Sequence, residues 1–152
     1  MQSVPAWGLA SAAFCHVHRV TDEVGVRHVF HLARRYGLSV GFRGSGQSYG
    51  DAALNGEALL LDLSGMQRIL DWNPESGVIT VEPGVTIGQL WRYTISSGWW
   101  PPVVPGTMRP TVGGCAAMNI HGKNHWAAGS FGDHVLAFTA LLPEGEVVHC
   151  SR

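Results

Sequence analysis

Within ten residues, Arg43-Gly44-Ser45-Gly46-Gln47-Ser48-Tyr49-Gly50-Asp51-Ala52 sets three glycines, two serine hydroxyls and a guanidinium side by side. Successive backbone N–H groups in such a turn can point inward and form a concavity for an anion. Glycine lets the backbone approach a phosphate with no Cβ in the way, and serine adds hydroxyl donors. The run is not a dinucleotide fingerprint of the Rossmann kind, because its third glycine is misplaced and a turn, not a helix, follows. It is not a P-loop either, since no Gly-Lys-Ser/Thr closes it. Taken alone, it reads equally well as a ligand cradle or as a plain flexible turn.

Pro105-Gly106-Thr107 followed by Thr111-Val112-Gly113-Gly114 forms a second candidate. It predicts a turn and then a helix of small residues, whose first N–H groups and dipole could hold an anion. The competing reading is that the small residues serve tight packing of a helix on a sheet. A third cluster follows, Asn119-Ile120-His121-Gly122-Lys123-Asn124-His125, and then Gly129-Ser130-Phe131-Gly132-Asp133. It gathers polar and chargeable side chains in a loop, where function concentrates. His121 and His125 have no carboxylate at helical ligand spacing, so no metal is expected.

The elements that must position these runs are legible in part. Cys15 to Val20 predicts a strand, on which Cys15 and His16 face opposite sides and make no metal pair. Thr21-Asp22-Glu23 opens a helix carrying Val26, Val29, Phe30 and Ala33, closed by Gly37. Its polar residues Arg27, His28, His31, Arg34 and Arg35 are read as a solvated face. Leu38 to Phe42 predicts a strand feeding the glycine run directly. Ala58 to Leu63 is a continuous apolar strand, the pattern of burial on both faces.

Further on, Gln67 to Asp71 and Val78 to Val81 predict a hairpin around Asn73-Pro74-Glu75-Ser76-Gly77. Thr86 caps a helix with Ile87, Leu90, Trp91 and Ile95, stopped by Gly98. Trp99-Trp100-Pro101-Pro102 reads as a packed corner. Thr111 to Asn119 is the small-residue helix, with Cys115 as a buried small hydrophobe. Val135 to Leu142 and Glu146 to Cys150 predict a last hairpin. The order implies an α+β fold with mixed sheets, residues 1–20 forming an extension and first strand and 21–152 the binding domain.

At 152 residues the chain is the size of one domain. A net charge of −1 leaves no basic footprint for nucleic acid. Three widely spaced cysteines without a C-x-x-C fit a reducing compartment. With no basic region ahead of the first apolar residues and no apolar run near the roughly 20 residues of a membrane span, a cytoplasmic chain is expected.

On these motifs the sequence resembles the FAD-binding domain (PCMH-type) of the vanillyl-alcohol-oxidase superfamily. The runs Arg43 to Ala52, Pro105-Gly106-Thr107, Thr111 to Gly114 and Asn119 to His125 carry the likeness, which extends from about Thr21 to the end. His121-Gly122-Lys123-Asn124-His125 and Ala128-Gly129-Ser130-Phe131-Gly132 resemble most the decaprenylphosphoryl-ribose-oxidase-like flavoproteins. The resemblance implies FAD as cofactor, with Phe42 and Arg43 to Ala52 holding its pyrophosphate and Gly106 and Thr111 to Gly114 lining it. Met118, Asn119, Ile120 and His121 would lie beside the isoalloxazine. Ser48-Tyr49-Gly50-Asp51 offers no histidine for a covalent link, so FAD is expected to bind without one.

The reaction implied is oxidation of a secondary alcohol on a sugar or lipid-linked sugar, with Lys123 and His121 as candidate catalytic side chains. An aldonolactone or alditol oxidase is the nearest alternative. The family's chains are about three times longer, so the resemblance implies the N-terminal portion of the FAD domain with no substrate cap. Turnover is then expected only where the missing half is supplied. The chain is otherwise an FAD-holding subunit completed by a separate cap chain, or an inactive gene remnant.

Overall fold

Leu59, Leu60 and Leu61 are all buried, because β4 (Leu59–Asp62) is an interior strand covered on both faces. The computed structural model describes all 152 residues and places this strand in a four-stranded sheet. Its neighbours are β2 (Ala12–Arg19) and β3 (Val40–Arg43), both parallel to it, and β1 (Gln2–Pro5) pairs antiparallel with β2 at the edge. Parallel strands need a crossover, and α1 (Glu23–Tyr36) supplies it between β2 and β3. Asp22 caps α1 by accepting the Gly25 N–H at 2.9 Å, and Gly37 ends it in the left-handed conformation at φ 63°.

Alternation along the strands sorts the core into two faces. Leu59 and Leu61 meet Val20, Val26, Val29 and Phe30 beneath α1. Leu60 packs on the opposite face with Val4 and Cys15. Cys15 is fully buried while His16 is exposed, as the strand period requires. β1 was not expected, since Gln-Ser-Val-Pro is too short to show a period. Within residues 1–20, β2 lies between β1 and β4 of one sheet.

A second unit follows. β5 (Ile69–Asn73) and β6 (Val78–Val81) form the expected hairpin, shifted by two residues at its start. α2 (Ile87–Thr94) begins with a reciprocal capping box between Thr86 and Gln89. α3 (Val112–Ala117) is shorter than the expected 111–119 helix, because Asn119 turns left-handed at φ 41°. Val85, Ile87, Leu90 and Cys115 make its core, with Val112, Ile120 and Phe131 against them. Burial pushes the Cys115 thiol up to about 12, so it stays protonated as a small hydrophobe. Trp99 donates from Nε1 to the Pro74 carbonyl at 2.7 Å and meets Trp72 edge-on, and Trp100 meets Trp91, so the run is pinned to its neighbours, but both rings stay exposed rather than packed inside.

After α4 (His125–Ala128) come β7 (Ala137–Leu141) and β8 (Val147–Ser151), a two-stranded hairpin. Here the reading of the basic face of α1 as simply solvated is corrected. Arg27 donates to the Gly145 carbonyl at 2.6 Å and Arg34 to that of Pro143, so two arginines seven residues apart clamp the turn of this hairpin. No helix is long and apolar enough to cross a membrane.

Candidate functional site

Arg43, the last residue of β3, turns its side chain back beneath the glycine loop. Its guanidinium donates to the Ala53 carbonyl at 3.0 Å and to Pro5 at 3.2 Å, so the loop wraps around a fixed positive charge. Gly46 sits at φ 67°, and a Cβ there would lie 2.3 Å from an Arg43 nitrogen. Only glycine fits that turn. From Gly44 through Ala53 no backbone N–H donates to another group of the protein; inward contacts are made by carbonyls, Asp51 accepting from Leu54 and Ser45 from the Gln47 side chain. The Ser45 and Ser48 hydroxyls are likewise free. Tyr49 at the rim is largely exposed and meets Trp7 edge-on, with ring centres 5.1 Å apart.

The loop touches the start of α3 directly: a Cβ on Gly44 would stand 2.2 Å from Thr111 Oγ1. That contact brings the first two sequence motifs together. It does not make them equivalent. The Val112 N–H donates to Val85 at 2.7 Å, that of Gly113 to Pro83 at 2.9 Å, and that of Cys115 to the Thr111 carbonyl at 2.8 Å. The Gly114 N–H donates to the Thr111 hydroxyl oxygen at 3.4 Å. Reading the start of this helix as a set of unpaired donors is therefore corrected: its amides are used within the fold. Gly113 is small because a Cβ would meet Pro83 at 2.8 Å. The Gly106 amide, in the exposed turn before it, makes no bond inside the protein.

At the far end of α3, about 9 Å along a six-residue helix, lies the third motif. Asn119 accepts the Gly132 N–H on Oδ1 at 2.8 Å, and Ile120 accepts that of Phe131 at 2.8 Å, closing residues 119–132 into a double turn. Asp133 accepts the Ser130 N–H at 2.8 Å, and these Ser130 contacts hold its carboxyl below the usual range. Gly122 is buried against Val104, where a Cβ would meet the Val104 carbonyl at 2.8 Å. That leaves Met118, His121 and Lys123 exposed. The rings of His121 and His125 meet at 5.1 Å between centres, tilted by 58°, and Lys123 has no partner.

Between the loop and α2 runs a groove of about 470 Å³, bounded by Ser45, Gln47, Gly88, Arg92, Met108 and Arg109. Sequence reasoning assigned nothing to Arg92 or Arg109. The phase of α2 could have found the first, since Arg92 follows Gly88 by one helical turn.

An α+β domain that offers free amides around an arginine, with exposed His and Lys at the other end of one short helix, is a binding domain for a phosphate-bearing cofactor. The FAD binding domain family matches residues 16–151. The chain belongs to that family. It is 42% identical to decaprenylphosphoryl-beta-D-ribose oxidase of Mycolicibacterium smegmatis over 94% of its own length and 31% of that protein's. It is 34% identical to D-2-hydroxyglutarate dehydrogenase of Escherichia coli over 70% of its length and 10% of that protein's. The crystal structure of 6-hydroxy-D-nicotine oxidase from Arthrobacter nicotinovorans superposes on 89% of the chain and 29% of that structure, at a TM-score of 0.78 and 22% identity. The expected PCMH-type FAD fold, in part, is what these likenesses show. The chain spans under a third of the length of these relatives.

Proposed function

We propose that this chain holds FAD without a covalent bond, for oxidation of a secondary alcohol on a sugar or lipid-linked sugar. One observation carries the cofactor placement: the amides from Gly44 through Ala53 are unbonded, in a loop that folds over the Arg43 guanidinium at Gly46 and Ala53. A diphosphate fits such a cradle, because each oxygen can accept from a fixed N–H beside a fixed charge. The two-ended layout about α3 suits a dinucleotide, which holds its diphosphate and its ring system apart. Bound FAD supplies the hydride acceptor for the carbinol carbon. Ser48-Tyr49-Gly50-Asp51 presents no nucleophile of the histidine type, in keeping with reversible binding.

The chain's own residues bind and orient. Arg43 fixes the loop shape and contributes charge. Gly44 and Thr111 set the loop against α3, and Met118 to His121 form the surface on which the ring system would rest. Lys123 is free to meet an anionic group, and His121 Nδ1, 3.4 Å from the Gly122 carbonyl, leaves Nε2 to polarise the ring system. The likeness to decaprenylphosphoryl-beta-D-ribose oxidase supports the sugar class. That to D-2-hydroxyglutarate dehydrogenase supports a second reading, a hydroxy acid with its alcohol beside a carboxylate. The substrate cover and the base would come from polypeptide beyond these 152 residues, in the same chain or a second one.

The test is titration with FAD, FMN and riboflavin, following flavin fluorescence and thermal stabilisation. FAD should bind at least about tenfold more tightly than FMN, a difference of about 1.4 kcal/mol. Equal response to FMN and FAD overturns the diphosphate placement.

A further inference from the structure

We propose that Arg92 and Arg109 form the cationic wall of a second phosphoryl-binding subsite, in the groove between the glycine loop and α2. The inference rests on the cofactor reading above and concerns the side of the loop that borders α2.

Most arginines of this chain have a fixed partner. Arg27 and Arg68 pair with Glu23 and Glu82. Arg34, Arg43 and Arg152 donate to carbonyls. Arg19, Arg35, Arg92 and Arg109 do neither, and of these four Arg92 and Arg109 alone share one groove, of about 470 Å³. No carboxylate lines that groove; its other polar groups are neutral, with the Ser45 hydroxyl and the Gln47 amide at the loop side. Two unpaired guanidiniums facing the same space repel each other and are stabilised by an anion between them.

The backbone of α2 cannot supply the donors here. The Ile87 and Gly88 amides donate to Pro110 and Met108, at 3.0 and 2.9 Å, and Gln89 to Thr86. What the backbone does is fix the wall. Gly88 lets Met108 approach, for a Cβ there would stand 3.2 Å from the Met108 carbonyl and 3.8 Å from an Arg92 nitrogen. The guanidinium of Arg92 is thus laid over a bare stretch of helix, beside the segment that carries Arg109. A phosphoryl oxygen set there could take bidentate contacts from either arginine and a hydroxyl from Ser45.

The shared chemistry is a phosphoryl group, from the cofactor's own diphosphate or from a separate phosphorylated ligand. The experiment uses the 152-residue chain and its R92Q/R109Q variant, titrated with inorganic pyrophosphate, FAD and riboflavin at low and high salt. Pyrophosphate should bind the chain and weaken about tenfold or more in the variant, the loss shrinking at high salt. If FAD weakens in parallel while riboflavin does not, the group is the cofactor's diphosphate. If FAD affinity is unchanged and pyrophosphate still binds the FAD-saturated chain through the arginines, the group belongs to a separate ligand. Unchanged pyrophosphate affinity in the variant overturns the subsite. Failure of FAD to bind while pyrophosphate binding needs both arginines would instead overturn the cofactor reading and leave the subsite standing.

Discussion

The loop from Gly44 to Ala53 and the turn from Thr111 to Gly114 are both rich in glycine and hydroxyls, and both adjoin a regular element. The first keeps its amides free and lies over a half-buried arginine; the second spends its amides on Pro83, Val85 and Thr111. Glycine therefore does different work in each. At Gly46 it allows a positive φ around Arg43, and at Gly113 it allows a helix to lie against another segment's backbone. The first leaves donors free for a ligand, and the second spends its donors joining the loop's neighbour to the rest of the fold. Composition alone does not distinguish them. The fate of the N–H groups does.

The sharpest break of this comparison is Gly113→Val. A branched side chain would meet Pro83 at once, and overpacking of this sort costs roughly 3 kcal/mol with little room to relax. Thermal unfolding should show a large loss of stability, with FAD binding falling only because the fold does. A variant as stable as the parent but unable to bind FAD would make Gly113 a cofactor position instead.

The joint also depends on Glu82, which precedes Pro83. Its carboxylate, nearly buried, accepts the Arg68 N–H and side chain at 2.7–2.8 Å. Burial pushes this carboxyl up, but the contacts with Arg68 together outweigh it and leave it below its ordinary 4.5. A depressed carboxylate contributes stability that is fully present above the unfolded value and lost as pH falls through the folded one. Glu82→Gln should cost about 1–2 kcal/mol near neutral pH, less than a fully buried pair because Arg68 reaches water. The gap between parent and variant should close as pH drops below 4.5. Denaturant melts across pH 3–7 check this, and a gap that widens on acidification would be the wrong sign.

Gly46→Ala addresses the other region. The left-handed conformation costs an alanine about 1 kcal/mol, and its Cβ displaces the Arg43 guanidinium. Because the loop's amides hold nothing inside the protein, the fold should lose little more than that. FAD affinity should fall by about tenfold or more. Circular dichroism with a flavin titration separates the two effects. Normal affinity would mean that the cofactor does not touch this loop.

How much of this was visible in the chain follows from range. The Leu59–Leu61 run, the capped α1 and the turns at Gly77 and Gly145 are local patterns, and each appears where the residues place it. The glycine loop is local too. The state of the α3 amides is not, since Pro83 and Val85 lie well upstream and only folding brings them there. The same holds for Arg27 and Arg34, which look like a solvated helix face until a hairpin more than a hundred residues away docks on them. Arg92 and Arg109 belong to different elements, and nothing in their spacing announces a shared groove.

The smallest effect on stability should come from Lys123→Met, and that makes it the cleanest probe of the far end of α3. Lys123 is exposed and partnerless, while Gly122 and Asn124 beside it fix the loop against Val104 and Pro102. Losing the ammonium should therefore shift stability by less than about 0.5 kcal/mol. A cation near a flavin ring favours its anionic reduced form, so the flavin's reduction potential should fall in the variant, with FAD affinity reduced by only a few-fold. Loop and joint keep their contacts, so a lowered potential with unchanged melting would tie Lys123 to the ring system and to nothing structural. An unchanged potential in an FAD-loaded variant would remove Lys123 from the site, and leave His121 as the candidate for chemistry at the end of α3 opposite the loop.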